Sequence, residues 1–180
     1  QYSPLTPKVG MRPLVVVPPC INKFYIMDLQ PDNSLIRFMV DQGNTVFLVS
    51  WRNPSEAHGQ VGWDDYLEHG PITALHIAQE ITKVKQVNAL GFCVGGTILT
   101  SALAVLKERG EDPVASLTLL TTLLDFSDTG EIGLFIDEQG VTAREGTIGK
   151  GGLLPARDLA NTFSFLRAND LVWNYVTGNY

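Results

Sequence analysis

The stretch Leu90-Gly91-Phe92-Cys93-Val94-Gly95-Gly96-Thr97 decides the reading of this chain. An apolar run, Val87 to Leu90, precedes it and reads as a buried strand. Ile98 to Leu106 follows it and reads as a helix. Between them stands a turn of small residues with one reactive side chain, the thiol of Cys93. Such a turn must be small because the end of the strand and the first turn of the helix nearly touch. Gly91 and Gly95 supply that room, and Gly96 adds more.

Gly-x-nucleophile-x-Gly between a strand and a helix is the nucleophile elbow of the α/β-hydrolase fold, with cysteine here in place of the usual serine. Cysteine points to acyl chemistry through a thioester. The first amide of the helix, Val94 N–H, then faces a developing oxyanion. The plainer alternative is a buried structural cysteine in a glycine-rich turn. The coincidence of strand, helix, two glycines and a nucleophile favours chemistry. The stretch is not a dinucleotide fingerprint, because Gly-x-Gly-x-x-Gly cannot be placed on it.

Composition sets the outer bounds. At 180 residues, 44% hydrophobic and 18% charged, the chain suits one ordinary globular domain with a sizeable core. A formal net charge of −6 speaks against a nucleic-acid surface. No apolar run approaches a membrane span, and no signal peptide is visible. Cys20 and Cys93 make no disulfide framework, so a reducing cytoplasm is the simpler setting. The first residue is Gln1, and the chain stops within what reads as a helix. Both ends suggest part of a longer protein.

Around the elbow, strands and helices alternate. Pro13 to Pro18, Thr45 to Trp51 and Val87 to Phe92 read as strands with buried apolar runs, and Ala115 to Thr121 reads as a fourth strand. Pro19 to Asp28 and Arg52 to Gly62 read as loops. A helix capped by Asp32 or Asn33 runs through Val40 and stops at Gly43. A second covers Trp63 to Lys83, with Pro71 bending it or marking its true start. A third covers Gly95 to Arg109. This order implies βαβ units and a parallel sheet, which binds ligands at the carboxyl ends of its strands. After Leu124 the pattern dissolves into a stretch punctuated by glycines from Gly130 to Gly152, either a mobile lid or a plain surface loop. Pro155 to Leu166 and Asp170 to Tyr175 read as helical.

A thiol nucleophile needs a base. His58, His69 and His76 all precede Cys93, whereas the fold's chain order is nucleophile, acid, histidine. They read as surface or helix-packing residues, so the base is expected beyond Tyr180. Asp125 and Asp128 follow the strand after the nucleophile helix and are minor candidates for the acid. The loop after the first strand supplies the second oxyanion donor in this fold. Pro18 and Pro19 have no N–H to give, which leaves Cys20 or Ile21. The Cys20 side chain reads as a small buried hydrophobe.

Several blocks carry a family resemblance: Pro18-Pro-Cys-Ile-Asn-Lys23, Ser50-Trp-Arg-Asn-Pro54, Gly91-Phe-Cys-Val-Gly-Gly-Thr97, Leu119 to Phe126, Asn161 to Arg167 and Asn169 to Tyr175. In this order they resemble the polyhydroxyalkanoate synthases, over essentially the whole chain. The single-subunit type that prefers short hydroxyacyl chains is the most similar. The resemblance implies an acyltransferase that polymerises (R)-3-hydroxyacyl-CoA into storage polyester and releases CoA. It implies Cys93 as the thioester-forming nucleophile, with oxyanion donors at the backbone of Val94 and Ile21. Residues 1–126 would be the N-terminal part of the α/β-hydrolase core, and residues 127–180 part of the cap. The catalytic Asp and His would lie beyond Tyr180, and the family's N-terminal region before Gln1. No cofactor or metal is implied, since coenzyme A enters with the substrate. The partners implied are the hydroxyacyl-CoA, the growing polyester, the surface of cytoplasmic polyester granules and a second copy in a homodimeric parent. A cysteine hydrolase of the dienelactone-hydrolase sort is the rival reading. An inactive polymer- or partner-binding piece is another.

Overall fold

The computed structural model describes residues 1–21, 23–130, 133, 136–149 and 152–178. Two compact units divide them, one of residues 1–52 and 61–124, the other of residues 53–60 and 125–180.

Among its described residues the first unit holds six strands: β1 (Leu14–Val17), β2 (Asp28–Gln30), β3 (Asn33–Ser34), β4 (Val46–Leu48), β5 (Val87–Phe92) and β6 (Val114–Leu120). Four of them, in the order β4-β1-β5-β6, make an open parallel sheet. β1 and β4 are short, apolar and buried, as strands covered on both faces require, whereas β6 at the open edge is largely exposed. Alternation then sends neighbours to opposite faces. Leu14, Val16, Val46 and Leu90 pack with Ile36 and Val40 of α1 (Leu35–Asp41). Val15, Val17, Phe47, Val87 and Ala89 pack on the other face. There they meet α2 (Trp63–Leu67), α3 (Thr73–Thr82) and α4 (Val94–Glu108). An α/β architecture with helices flanking a parallel sheet is what the alternating pattern predicts.

The strand order has one functional consequence. The chain leaves β1 in one direction to reach β4, then returns past β1 to reach β5. Connections therefore diverge at the carboxyl ends of β1 and β5, the topological switch point at which open α/β sheets take their ligands. Cys93 follows β5 directly, and Pro18 to Ile21 follow β1.

Several local expectations are corrected. The first helix is capped by Ser34, whose hydroxyl accepts from Arg37 N–H at 2.8 Å, and not by Asp32 or Asn33. Asn33 is instead paired in the small β2–β3 hairpin. Asp28 anchors that hairpin by accepting from Ser34 Oγ at 2.6 Å and from Tyr2 Oη at 2.8 Å. The second helix does start at Trp63, and Pro71 neither ends it nor begins it. A π turn over Glu68–Ile72 absorbs the proline between α2 and α3. The strand expected over Thr45 to Trp51 is only Val46–Leu48, which frees Trp51 for another use.

In the second unit the glycine-punctuated stretch is not all loop. α5 (Glu138–Thr147) forms there, capped by Asp137, whose carboxylate accepts from Gly140 N–H at 2.5 Å. Its sequence hides it, because two glycines weaken its propensity and no apolar stripe marks a face. Glu131, Ile132, Leu134, Phe135, Lys150 and Gly151 lie outside the described residues. α6 (Ala156–Leu166) follows, then a π turn over Asn169–Trp173 and α7 (Asn174–Thr177). Among the described residues no helix is long and apolar enough to cross a membrane.

The seat of α4 on the sheet fixes the site, and Leu99 is its completely buried centre. Leu99→Ala is expected to cost about 2–5 kcal/mol through the cavity it leaves. Urea unfolding of wild type and variant measures it; a loss below about 1 kcal/mol would mean that α4 is not held by this packing.

Candidate active site

β5 ends at Phe92 and α4 begins at Val94, so one residue makes the entire turn. That residue is Cys93, at φ 54° and ψ −132°. A non-glycine side chain rarely occupies this region, and holding one there costs on the order of 1–3 kcal/mol. Packing and hydrogen bonds hold it. Cys93 N–H donates to the Leu120 carbonyl at 2.9 Å, extending the β5–β6 ladder past its last paired residue. The Cys93 carbonyl accepts from Gly96 N–H at 2.9 Å and closes the first turn of α4.

Space explains the glycines. A Cβ on Gly91 would strike Gly96 Cα, and one on Gly95 would strike the Val17 carbonyl oxygen. A Cβ on Gly96 would strike the Thr122 hydroxyl. The first turn of α4 is thus in backbone contact with the ends of β1 and β5 and with the loop after β6. Thr97 adds a latch, its hydroxyl donating to the Leu123 carbonyl at 2.8 Å. Thr121, between these contacts, has φ 46°, a second strained residue beside the turn.

The free thiol of Cys93 is partly exposed at the carboxyl edge of the sheet. Val94 N–H is the first amide of α4 and has no acceptor within the helix. The loop after β1 brings Cys20 into the cluster that also holds Trp51, Tyr66 and Val94. Burial pushes the Cys20 thiol up. A hydrogen bond from its own backbone opposes this, and the neighbouring Cys93 adds a smaller upward push. Ile21 comes next, with its side chain exposed.

The histidines have other partners. His58 Nδ1 accepts from Ser55 N–H at 3.0 Å in the second unit. His76 Nε2 pairs with Glu111 at 2.9 Å. Glu111 precedes β6, at the edge of the sheet opposite Cys93. His69 is exposed and follows Glu68, whose carboxylate pairs with Arg109 at the far end of α4. Asp125 and Asp128 each accept a backbone N–H two residues on, from Ser127 and Gly130, both at 2.9 Å. The Ser127 bonds hold the Asp125 carboxyl below its usual range. Both aspartates serve local turns. Among the described residues no cluster could hold a metal ion.

Residues 1–39 match the family model described as the poly-beta-hydroxybutyrate polymerase (PhaC) N-terminus. Over its whole length the chain is 60% identical to the poly(3-hydroxyalkanoate) polymerase subunit PhaC of Cupriavidus necator, of which it covers 31%. The poly(3-hydroxyalkanoate) polymerase of Methylorubrum extorquens is 45% identical, again over the whole chain and 30% of that protein. The chain belongs to the poly(3-hydroxyalkanoate) polymerase family. It spans less than a third of the length of these relatives. The family's N-terminal region, expected before Gln1, is in part present. The match to residues 1–39 takes in β1, the loop after it and most of α1.

In this polymerase-family chain, sequence reasoning overlooked Trp51 and the threonines at 97, 121 and 122. The contacts of Trp51 with Pro18, Thr97 with Leu123 and Thr122 with Gly96 join residues 26 or more apart in the chain, so no local pattern announces them. Two outcomes are expected. Gly95→Ala should cost about 1–3 kcal/mol or more, because the β1 carbonyls have nowhere to go. A Gly95→Ala protein as stable as wild type in urea would contradict the packing. At neutral pH iodoacetamide should modify Cys93 ahead of Cys20, and the Cys20 reaction should emerge only as pH rises above the usual thiol range. Peptide mass spectrometry follows both, and earlier modification of Cys20 would contradict the placement of the two thiols.

Proposed function

We propose that this chain carries the nucleophile of an acyltransferase that polymerises (R)-3-hydroxyacyl-CoA into polyhydroxyalkanoate. One observation carries the reading. Cys93 is held at φ 54° in a one-residue turn between β5 and α4, at the switch point of the sheet, in a chain 60% identical to a poly(3-hydroxyalkanoate) polymerase. That turn has the geometry of a nucleophile elbow in an α/β-hydrolase core.

The Cys93 thiolate attacks the thioester carbonyl of the hydroxyacyl-CoA. Val94 N–H and the Ile21 N–H take the oxyanion, and CoA leaves as its thiol after the base returns to it the proton removed from Cys93. The exchange of one thioester for another is nearly thermoneutral, which suits cysteine better than serine. The hydroxyl of a second acyl unit then attacks the acyl-Cys93, forming the ester and returning the thiol. The base and its orienting acid are those expected beyond Tyr180. Residues 127–180 would begin the cap of the whole protein, and their membership of a separate compact unit supports this. Water must be kept from the acyl-enzyme, or the product is free acid.

The test uses the full-length polymerase. Cys93→Ala should abolish polymer, and Cys93→Ser should be severely impaired because the hydroxyl is a far weaker nucleophile at neutral pH. Substantial polymer from Cys93→Ala would sink the assignment. Free hydroxy acid as the main wild-type product would select the hydrolase instead.

A further inference from the structure

Trp51 stands just past β4, at the carboxyl edge of the sheet. Its indole N–H donates to the Pro18 carbonyl at 2.7 Å, across 33 residues of sequence. The other side of that carbonyl rests on α4. A Cβ on Gly95 would come within 2.5 Å of the same Pro18 oxygen. One carbonyl is therefore gripped between the indole and the second residue of α4, two positions after Cys93.

The indole is itself seated. Its six-membered ring lies on Gly70, where an added Cβ would be 2.5 Å from Cη2 and 2.8 Å from Cζ3. Gly70 falls in the π turn that absorbs Pro71. Tyr66 covers another side, with ring centroids 5.6 Å apart and planes tilted by 43°.

The geometry points to Trp51 as a positioning residue for the second oxyanion donor, a role that rests on the thioester chemistry proposed above. Fixing the Pro18 carbonyl fixes ψ of Pro18. The Pro19 ring then fixes the next φ, so only one free torsion separates the anchored carbonyl from the Cys20 amide. Two prolines that cannot donate thus act as a stiff arm. They carry the position set by Trp51 to the first amides that can donate, Cys20 and Ile21. A half-buried indole could satisfy its N–H with water, so folding alone does not demand this bond.

The test again uses the full-length polymerase. Trp51→Phe keeps a ring over Gly70 and removes the donor. Gly70→Ala keeps Trp51 and takes the space of its ring. Single-turnover acylation of Cys93 by 3-hydroxybutyryl-CoA is followed as CoA release, and alkylation of Cys93 by iodoacetamide is followed in parallel. In both variants acylation should slow by about tenfold or more while alkylation stays within about twofold of wild type, because only acylation needs the oxyanion donors. Acylation at the wild-type rate in Trp51→Phe would overturn the role. So would a parallel fall in acylation and alkylation, which would make Trp51 merely structural. A wild-type enzyme that is never acylated would remove the thioester chemistry itself, and this role with it.

Discussion

The first turn of α4 has no room to move, and the rest of the site depends on that. Its backbone touches the carbonyls of Val17 and Pro18, the strand at Gly91 and the hydroxyl of Thr122. With α4 pinned on three sides and β5 fixed in the sheet, the single residue joining them must reverse the chain alone. Cys93 accepts φ 54° because every other arrangement would break more contacts than the strain costs. The same crowding leaves the thiol on the open side, at the carboxyl edge. Strain and partial exposure of the thiol at this position share one cause.

The sheet order gives the constraint its meaning. A strained cysteine at a strand end elsewhere would face a loop. At the boundary of β1 and β5 it sits at the switch point of the sheet, next to the loop that carries Cys20. The structure adds a brace from a third strand end, the Trp51 indole on the Pro18 carbonyl. Carboxyl ends of β4, β1, β5 and β6 thus converge on one site, each contributing a contact, and β5 leads into the strained Cys93.

What the sequence discloses follows the range of the interactions. β5 and α4 are legible almost to the residue, since a buried strand, a glycine turn and an amphipathic helix are local patterns. Gly43, at φ 81°, ends α1 as a glycine stop should. The Ser34 cap is harder to see, because Asp32 and Asn33 are equally good caps until the hairpin claims Asn33. Pro71 signals a disturbance without saying which, and the outcome, a π turn, depends on how α2 and α3 both reach the sheet. α5 is illegible because its residues include two glycines and no apolar stripe. Trp51 is the clearest loss. Its position after a strand is visible, but its partner is 33 residues away, and nothing near either residue marks the bond.

On the reading proposed above, the turn at Cys93 holds an acyl group during the reaction. The direct measurement is the mass of the peptide containing Cys93, taken from the full-length polymerase quenched in acid shortly after mixing with 3-hydroxybutyryl-CoA. The expected result is a hydroxybutyryl or oligomeric adduct on Cys93 that neutral hydroxylamine removes. An unmodified Cys93 peptide, or the adduct on another residue, while CoA is being released would contradict it.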